Sequence, residues 1–181
     1  MISITGFWNH NAIYIGTKEQ LQQLGLWDHP AIKPFQKQIE SKQQVIVESL
    51  GAGVQQNTVH HFLNIDEIAI GRRKGMRDDE RREAVLRTVA QIGKKYDFNL
   101  DVESAETIIC SELVYVVYHD VDFKKEKLAG HWTVTPDLTA LQTIDDGAFE
   151  LITMYYKGKR INDNFEMHMK NILKTKKTTV R

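Results

Sequence analysis

Cys110 is the single cysteine of the 181-residue chain, so it cannot form an intramolecular disulfide. The apolar residues that follow it recur at helical spacing, which predicts a helix from about Thr107 onward. Thr107 is the expected N-cap, and Asp101, Glu103 and Ser104 offer further capping groups. Cys110 then lies in the first turn, where free backbone N–H groups and the helix dipole favour a thiolate. The thiol is either a nucleophile or a buried packing group.

A base for such a thiol is available near the N-terminus. Ala12 to Ile15 form a short apolar run closed by Gly16, which is typical of a buried strand. His10 comes just before this run. A histidine at the start of a strand can face a cleft and reach the N-terminus of a helix.

Glu48 is a candidate for the group that orients the histidine. It ends the otherwise apolar strand predicted over Gln44–Ser49, which Gly51-Ala-Gly53 terminates. A buried carboxylate without a partner is costly, and pairing with His10 would account for its position. The alternative is a solvent-facing side chain at a strand end.

The three blocks resemble the YiiX-like proteins, from the circularly permuted branch of the NlpC-type, papain-fold cysteine hydrolases. They read Trp-Asn-His-Asn-Ala-Ile-Tyr-Ile-Gly, Val-Ile-Val-Glu-Ser-Leu-Gly-Ala-Gly-Val and Ile-Cys-Ser-Glu-Leu-Val-Tyr. In ordinary papain-like enzymes the cysteine precedes the histidine, whereas here it follows, as in the permuted branch. Tyr96-Asp-Phe98 and Thr135-Pro-Asp-Leu138 are also similar to the family's pattern, so the resemblance runs from about Phe7 to Tyr156.

The resemblance implies an α+β, circularly permuted papain-like fold in which an antiparallel sheet bearing His10 and Glu48 packs against the cysteine helix. It also implies that Cys110 attacks a carbonyl carbon, His10 transfers protons and Glu48 orients the imidazole. The Cys110 N–H is the expected oxyanion donor, with Tyr14 a weaker candidate. The expected activity is that of an amidase or peptidase acting through a thioester on a small peptide, a cell-wall fragment or an N-acyl compound.

Two other functions remain open. The first is a lipid-directed acyl hydrolase or acyltransferase. Permuted lipid acyltransferases carry Asn before the cysteine and Glu-His after it, whereas this chain has Ile109 and Ser111, which favours the hydrolase. The second is a binding module that kept the fold and lost turnover.

The composition agrees with a small-molecule enzyme. Twenty-four basic residues balance 24 acidic ones, so the net charge does not indicate an electrostatic field that would attract nucleic acid. The expected partner is a small peptide or acyl substrate. No cofactor is predicted. His60 and His61 fall on a predicted strand, where neighbours face opposite sides, so no metal site is expected. The N-terminus lacks the pattern of a signal peptide, which leaves the cytoplasm and the bacterial envelope both open.

The remaining elements are predicted as scaffold. Helices are expected over Lys18–Leu24, Ala31–Gln43 and Asp78–Lys95. Strands are expected over Thr58–Ile65 and Glu67–Ile70 beside the Glu48 strand, and over Phe149–Tyr156. We expect one papain-like domain over residues 1–181, with a flexible basic tail at 170–181.

Overall fold

The computed structural model describes residues 6–97, 107–128 and 130–177 and has a mixed α+β fold. The helices are α1 (Lys18–Gln23), α2 (Gln36–Lys42), α3 (Val59–Phe62), α4 (Asp78–Val89), α5 (Cys110–Val117), α6 (Pro136–Ala140) and α7 (Phe165–Lys177). The strands are β1 (Ala12–Tyr14), β2 (Ile46–Leu50), β3 (Gly53–Asn57), β4 (Ile68–Arg73), β5 (Glu126–Leu128), β6 (His131–Thr133), β7 (Phe149–Tyr156) and β8 (Lys159–Ile161).

The sheet that carries Glu48 is antiparallel, in the order β1-β2-β3. Its register places Glu48 of the central strand opposite Ala12 on one side and Gln55 on the other. Because side chains alternate along a strand, Glu48 lies on one face of this sheet while Val47 lies on the other.

The opposite face of this sheet packs against the cysteine helix. Ile13 and Val47 of the sheet belong to the same buried core as Leu113 and Val117 of α5, and three of these four side chains are fully buried. Apolar burial of this kind contributes roughly 1.5–3 kcal/mol per side chain. The predicted arrangement of an antiparallel sheet against a cysteine-bearing helix is confirmed.

The strand predicted over Thr58–Ile65 is wrong, because Val59–Phe62 form α3. The Thr58 hydroxyl accepts a hydrogen bond from the His61 N–H at 3.0 Å and so caps this helix. The place beside β2 is taken by β3 instead. The Glu67–Ile70 strand exists as β4, but it pairs with β7 in a second sheet of order β4-β7-β8.

Two helices are shorter than their sequence patterns predict. A 3-10 turn over Lys33–Phe35 occupies the start of the Ala31–Gln43 segment, where Pro34 lacks an N–H, and α2 follows it. Helix α4 ends at Val89, well before Lys95. The strand at Phe149–Tyr156 and the helix α1 agree with prediction.

Residues 170–177, assigned by sequence to a flexible tail, belong instead to α7, and residues 178–181 lie outside the described parts. Met169 of this helix is fully buried and accepts a hydrogen bond from the Trp8 indole N–H at 3.3 Å. This contact fixes the helix against the segment that leads to β1. No helix in the described residues has both the length and the apolar character needed to cross a membrane.

Gly53, at the turn between β2 and β3, has a backbone that only glycine tolerates. Its φ is +107°, and a Cβ there would collide with the Lys94 carbonyl oxygen. The close approach allows the Val54 N–H to donate to the Lys94 carbonyl at 2.9 Å. The turn is therefore joined to the segment that follows α4.

We predict that Gly53→Ala lowers the free energy of unfolding by at least about 2 kcal/mol, because it adds both backbone strain and a collision. Gly51→Ala is the matched control, since a Cβ at Gly51 meets nothing within 4 Å. It should change stability by less than about 0.5 kcal/mol. Urea unfolding of both variants checks this, and equal losses would contradict it.

Candidate active site

Cys110 is the first residue of α5, so the prediction that it lies in the first helical turn is confirmed. The N-cap is Ile109, not Thr107, which instead pairs with Lys95 in an isolated parallel bridge. The Ile109 N–H donates to the Glu112 carboxylate at 2.9 Å, which satisfies one of the donors at the helix start. Asp101, Glu103 and Ser104 lie outside the described residues.

His10 contacts both of the other predicted site residues. Its Nε2 lies 2.6 Å from Glu48 Oε2, and the Cys110 thiol is close enough to its ring to raise the pKa of His10. Because Nε2 faces Glu48, Nδ1 is the nitrogen that remains for the thiol. The three residues, distant in sequence, therefore form one chain of contacts from carboxylate to imidazole to thiol.

Glu48 is buried, with 3 % of its surface exposed, and both of its carboxylate oxygens have partners. Oε2 contacts His10, and Oε1 accepts a hydrogen bond from the Asn57 side-chain amide at 2.7 Å. In the β2–β3 register Asn57 is opposite Ile46, two residues from Glu48 and on the same face. Sequence reasoning missed Asn57, although recognising the hairpin at Gly51-Ala-Gly53 would have placed it beside Glu48.

The electrostatics of the pair favour a protonated imidazole. Burial lowers the pKa of His10, but the hydrogen bonds with Cys110 and Glu48 and their negative charge outweigh it, so the pKa rises from 6.5 to about 9. Burial acts to raise the pKa of Glu48, but the hydrogen bonds from His10 and Asn57 outweigh it and hold this pKa below its usual value. Both shifts stabilise an imidazolium beside a carboxylate.

Two buried serines connect the cysteine helix to its neighbours. The Ser49 hydroxyl, next to Glu48, donates to the Ile108 carbonyl at 2.7 Å. The Ser111 hydroxyl, next to Cys110, donates to the Val134 carbonyl at 2.5 Å. Because each serine adjoins a site residue, these bonds fix the relative position of β2 and the start of α5. The sequence offers no periodicity that would have identified them.

The other residues considered at the sequence level have positions that differ from their predicted roles. The Tyr14 hydroxyl donates to the Gln20 side chain at 2.6 Å, which directs it toward α1, so Tyr14 is not the oxyanion donor here. His60 and His61 are on α3, not on a strand. Among the described residues, no group of three or more His, Cys, Asp or Glu side chains could hold a metal ion.

We predict that Glu48→Gln lowers the pKa of His10 from about 9, because it removes the negative charge next to Nε2. When the pKa of a histidine is higher in the folded state than in the unfolded state, its protonation stabilises the fold. This contribution is complete at a pH below the unfolded-state pKa, and it is lost as the pH rises through the folded-state pKa. The wild type should therefore lose stability as the pH rises from about 6.5 to 9, and Glu48→Gln should lose less stability over the same range.

NMR titration of the His10 ring and urea unfolding across this range measure both effects. Glu40→Gln is the matched control, since Glu40 is an exposed carboxylate paired with Lys18. It should leave the titration of His10 unchanged. A His10 pKa that is the same in the wild type and in Glu48→Gln would contradict the role given to the carboxylate.

The comparison with known proteins agrees with this geometry. No curated protein and no solved structure matches the chain. The model of one family, described as permuted papain-like amidase enzymes of the YaeF/YiiX, C92 family, matches residues 2–175. This match covers nearly the whole chain, including the helix that begins with the buried Cys110. The protein is therefore a member of the YaeF/YiiX (C92) family of permuted papain-like cysteine amidases.

Proposed function

We propose that the protein hydrolyses an amide bond in a small peptide, a cell-wall fragment or an N-acyl compound, with Cys110, His10 and Glu48 as its catalytic residues. The observation that carries the proposal is the His10 side chain, whose Nε2 lies 2.6 Å from the Glu48 carboxylate and whose pKa is raised by the adjacent Cys110 thiol. A nucleophile, a base and a group that orients the base are thereby in contact.

In the first half-reaction, the Cys110 proton resides on His10 and the sulfur attacks the carbonyl carbon of the amide. The carbonyl π electrons move to its oxygen, and the backbone N–H of Cys110 is the candidate donor to this oxyanion. When the tetrahedral intermediate collapses, the C–N bond breaks and His10 gives its proton to the leaving nitrogen. The products are a free amine and a thioester on Cys110.

In the second half-reaction, neutral His10 takes a proton from a water molecule as the water oxygen attacks the thioester carbon. Collapse of this intermediate breaks the C–S bond and releases a carboxylic acid. The proton on His10 returns to the sulfur, or stays on the ring beside a thiolate. The net reaction adds one water molecule across the amide bond and regenerates the enzyme.

Glu48 supports both half-reactions by its charge and its fixed position. Asn57 holds Oε1 of the carboxylate, which leaves Oε2 directed at Nε2 of His10. The carboxylate stabilises the imidazolium that forms when His10 holds the proton, and its contact with Nε2 leaves Nδ1 for the thiol. Asn57 is thus a positioning residue that acts through Glu48.

A groove of about 480 Å³ supports the proposal that the substrate is small and has an apolar part. Tyr14 and Val59 line it, and in the β1–β2 register Tyr14 is opposite Ile46, which puts Tyr14 on the same face of the sheet as Glu48. We therefore expect short peptides with an apolar residue to react better than those with an acidic one.

The test is a panel of N-acyl amino acids, cell-wall peptides and short-chain esters, assayed with the wild type and with Cys110→Ser and His10→Ala. Both variants should lose turnover by on the order of 10³-fold or more, because each removes a member of the catalytic unit. Glu40→Gln is the control that should keep full activity.

Each alternative gives a different result in the same panel. Preference for long-chain esters over peptides would support the lipid-directed hydrolase or acyltransferase instead. Binding of a panel member without turnover, unaffected by Cys110→Ser, would support the binding module. Turnover that survives Cys110→Ser would contradict the proposed mechanism.

A further inference from the structure

The segment that carries His10 is held by α6, an element outside the predicted catalytic triad. Strand β1 begins only at Ala12, so His10 itself lies before the strand. The Asp137 carboxylate accepts a hydrogen bond from the Trp8 N–H at 2.8 Å. The same carboxylate also accepts a hydrogen bond from the Phe7 N–H, whose nitrogen lies 3.1 Å from Oδ1 and 3.0 Å from Oδ2. Hydrogen bonds to an ionised acceptor are stronger than neutral ones.

Gly6 also lies close to the Asp137 carboxylate. A Cβ at Gly6 would lie 2.8 Å from Asp137 Oδ2, closer than real Cβ contacts. Trp8 is also bound on its other side, since its indole donates to Met169 of α7. The backbone before His10 therefore has one well-defined position relative to α6.

Helix α6 also holds the residue that follows His10. The Asn11 side-chain amide donates to the Thr139 hydroxyl at 2.9 Å. Thr139 is near the end of α6 and Asp137 is in its first turn, so α6 contacts the chain on both sides of His10.

The same helix is connected to the cysteine helix. Ser111, next to Cys110, is fully buried and donates to the carbonyl of Val134, three residues before Asp137. The Thr135 hydroxyl between them caps α6 by accepting from the Leu138 N–H. A short, rigid path thus leads from Cys110 through Ser111 and α6 to the backbone of His10.

From these contacts we propose that Asp137 is a positioning residue, whose carboxylate holds the backbone before His10 so that the imidazole stays within reach of the Cys110 thiol. The inference rests on the proposed function, in which His10 activates Cys110. Glu48 alone holds the ring only at Nε2, and a ring held at one nitrogen can pivot away from the sulfur. The bonds to Phe7 and Trp8 supply the second constraint.

The test compares the rate at which iodoacetamide alkylates Cys110, from pH 5 to 9.5, in the wild type and in Asp137→Ala. We expect the rate of the variant at pH 6 to fall by on the order of tenfold or more, because misplacement of about 1 Å weakens the pairing of thiol and imidazole. Near pH 9.5 the two rates should converge, since an ordinary thiol is then ionised without help. A loss of access would instead lower the rate at every pH, and a loss of fold, which would also give the profile of an ordinary thiol, shows in the urea unfolding curve of the variant.

Two further variants make the comparison decisive. Gln142→Ala is the matched control, because Gln142 also holds backbone groups, those of Asp122 and Ala148, but does not contact the His10 segment. Its pH profile should equal that of the wild type. Asp137→Asn keeps one carbonyl oxygen for Trp8, so its rate at pH 6 should lie between those of the wild type and Asp137→Ala, and it carries the test if the alanine variant does not fold.

The outcomes separate the two hypotheses. If the wild type is fast at pH 6 and the Asp137 variants have the same profile as Gln142→Ala, the positioning role is wrong while the proposed function stands. If the wild type itself reacts as an ordinary thiol, slow at pH 6, the proposed function fails and the positioning role fails with it.

Discussion

The short contact between His10 and Glu48, 2.6 Å between Nε2 and Oε2, is the interaction on which the site depends. A carboxylate that is 3 % exposed would be strongly destabilising without partners, because burial penalises its charge. His10 and Asn57 supply those partners, one for each oxygen. The same contact keeps a proton on the imidazole, which is the form that pairs with a thiolate. One interaction thus makes the buried charge tolerable and keeps the histidine in the protonation state that the proposed mechanism requires.

This contact is useful only if the thiol is held at the same point, and the fold provides that through two separate elements. The sheet presents His10 and Glu48, while its other face packs on α5 and thereby fixes the helix that begins with Cys110. Ser49 joins the sheet to the segment before the cysteine. Helix α6 joins the cysteine helix back to the His10 segment. These contacts depend only on where the residues lie in space. They can therefore form although the histidine precedes the cysteine in the chain.

Local patterns predicted the parts of the site that local chemistry determines. The helical spacing after Cys110 and the apolar strands near His10 and Glu48 are short-range signals, and the structure has these elements. Thr58–Ile65 was misassigned because a short run with β-branched residues has no decisive period, and the capping role of Thr58 outweighed it. Asn57 and Asp137 could not be assigned roles from sequence, because both act through contacts between elements distant in the chain.

The pH dependence of Cys110 alkylation by iodoacetamide, compared between the wild type and His10→Ala, measures whether His10 activates Cys110. The wild type should stay reactive well below pH 7, because an imidazolium at His10 would stabilise the thiolate. His10→Ala should lose this reactivity and respond only near the ordinary thiol value of about 8.5. Identical pH profiles for the two proteins, both rising only near a pH of about 8.5, would contradict the activation of Cys110 by His10.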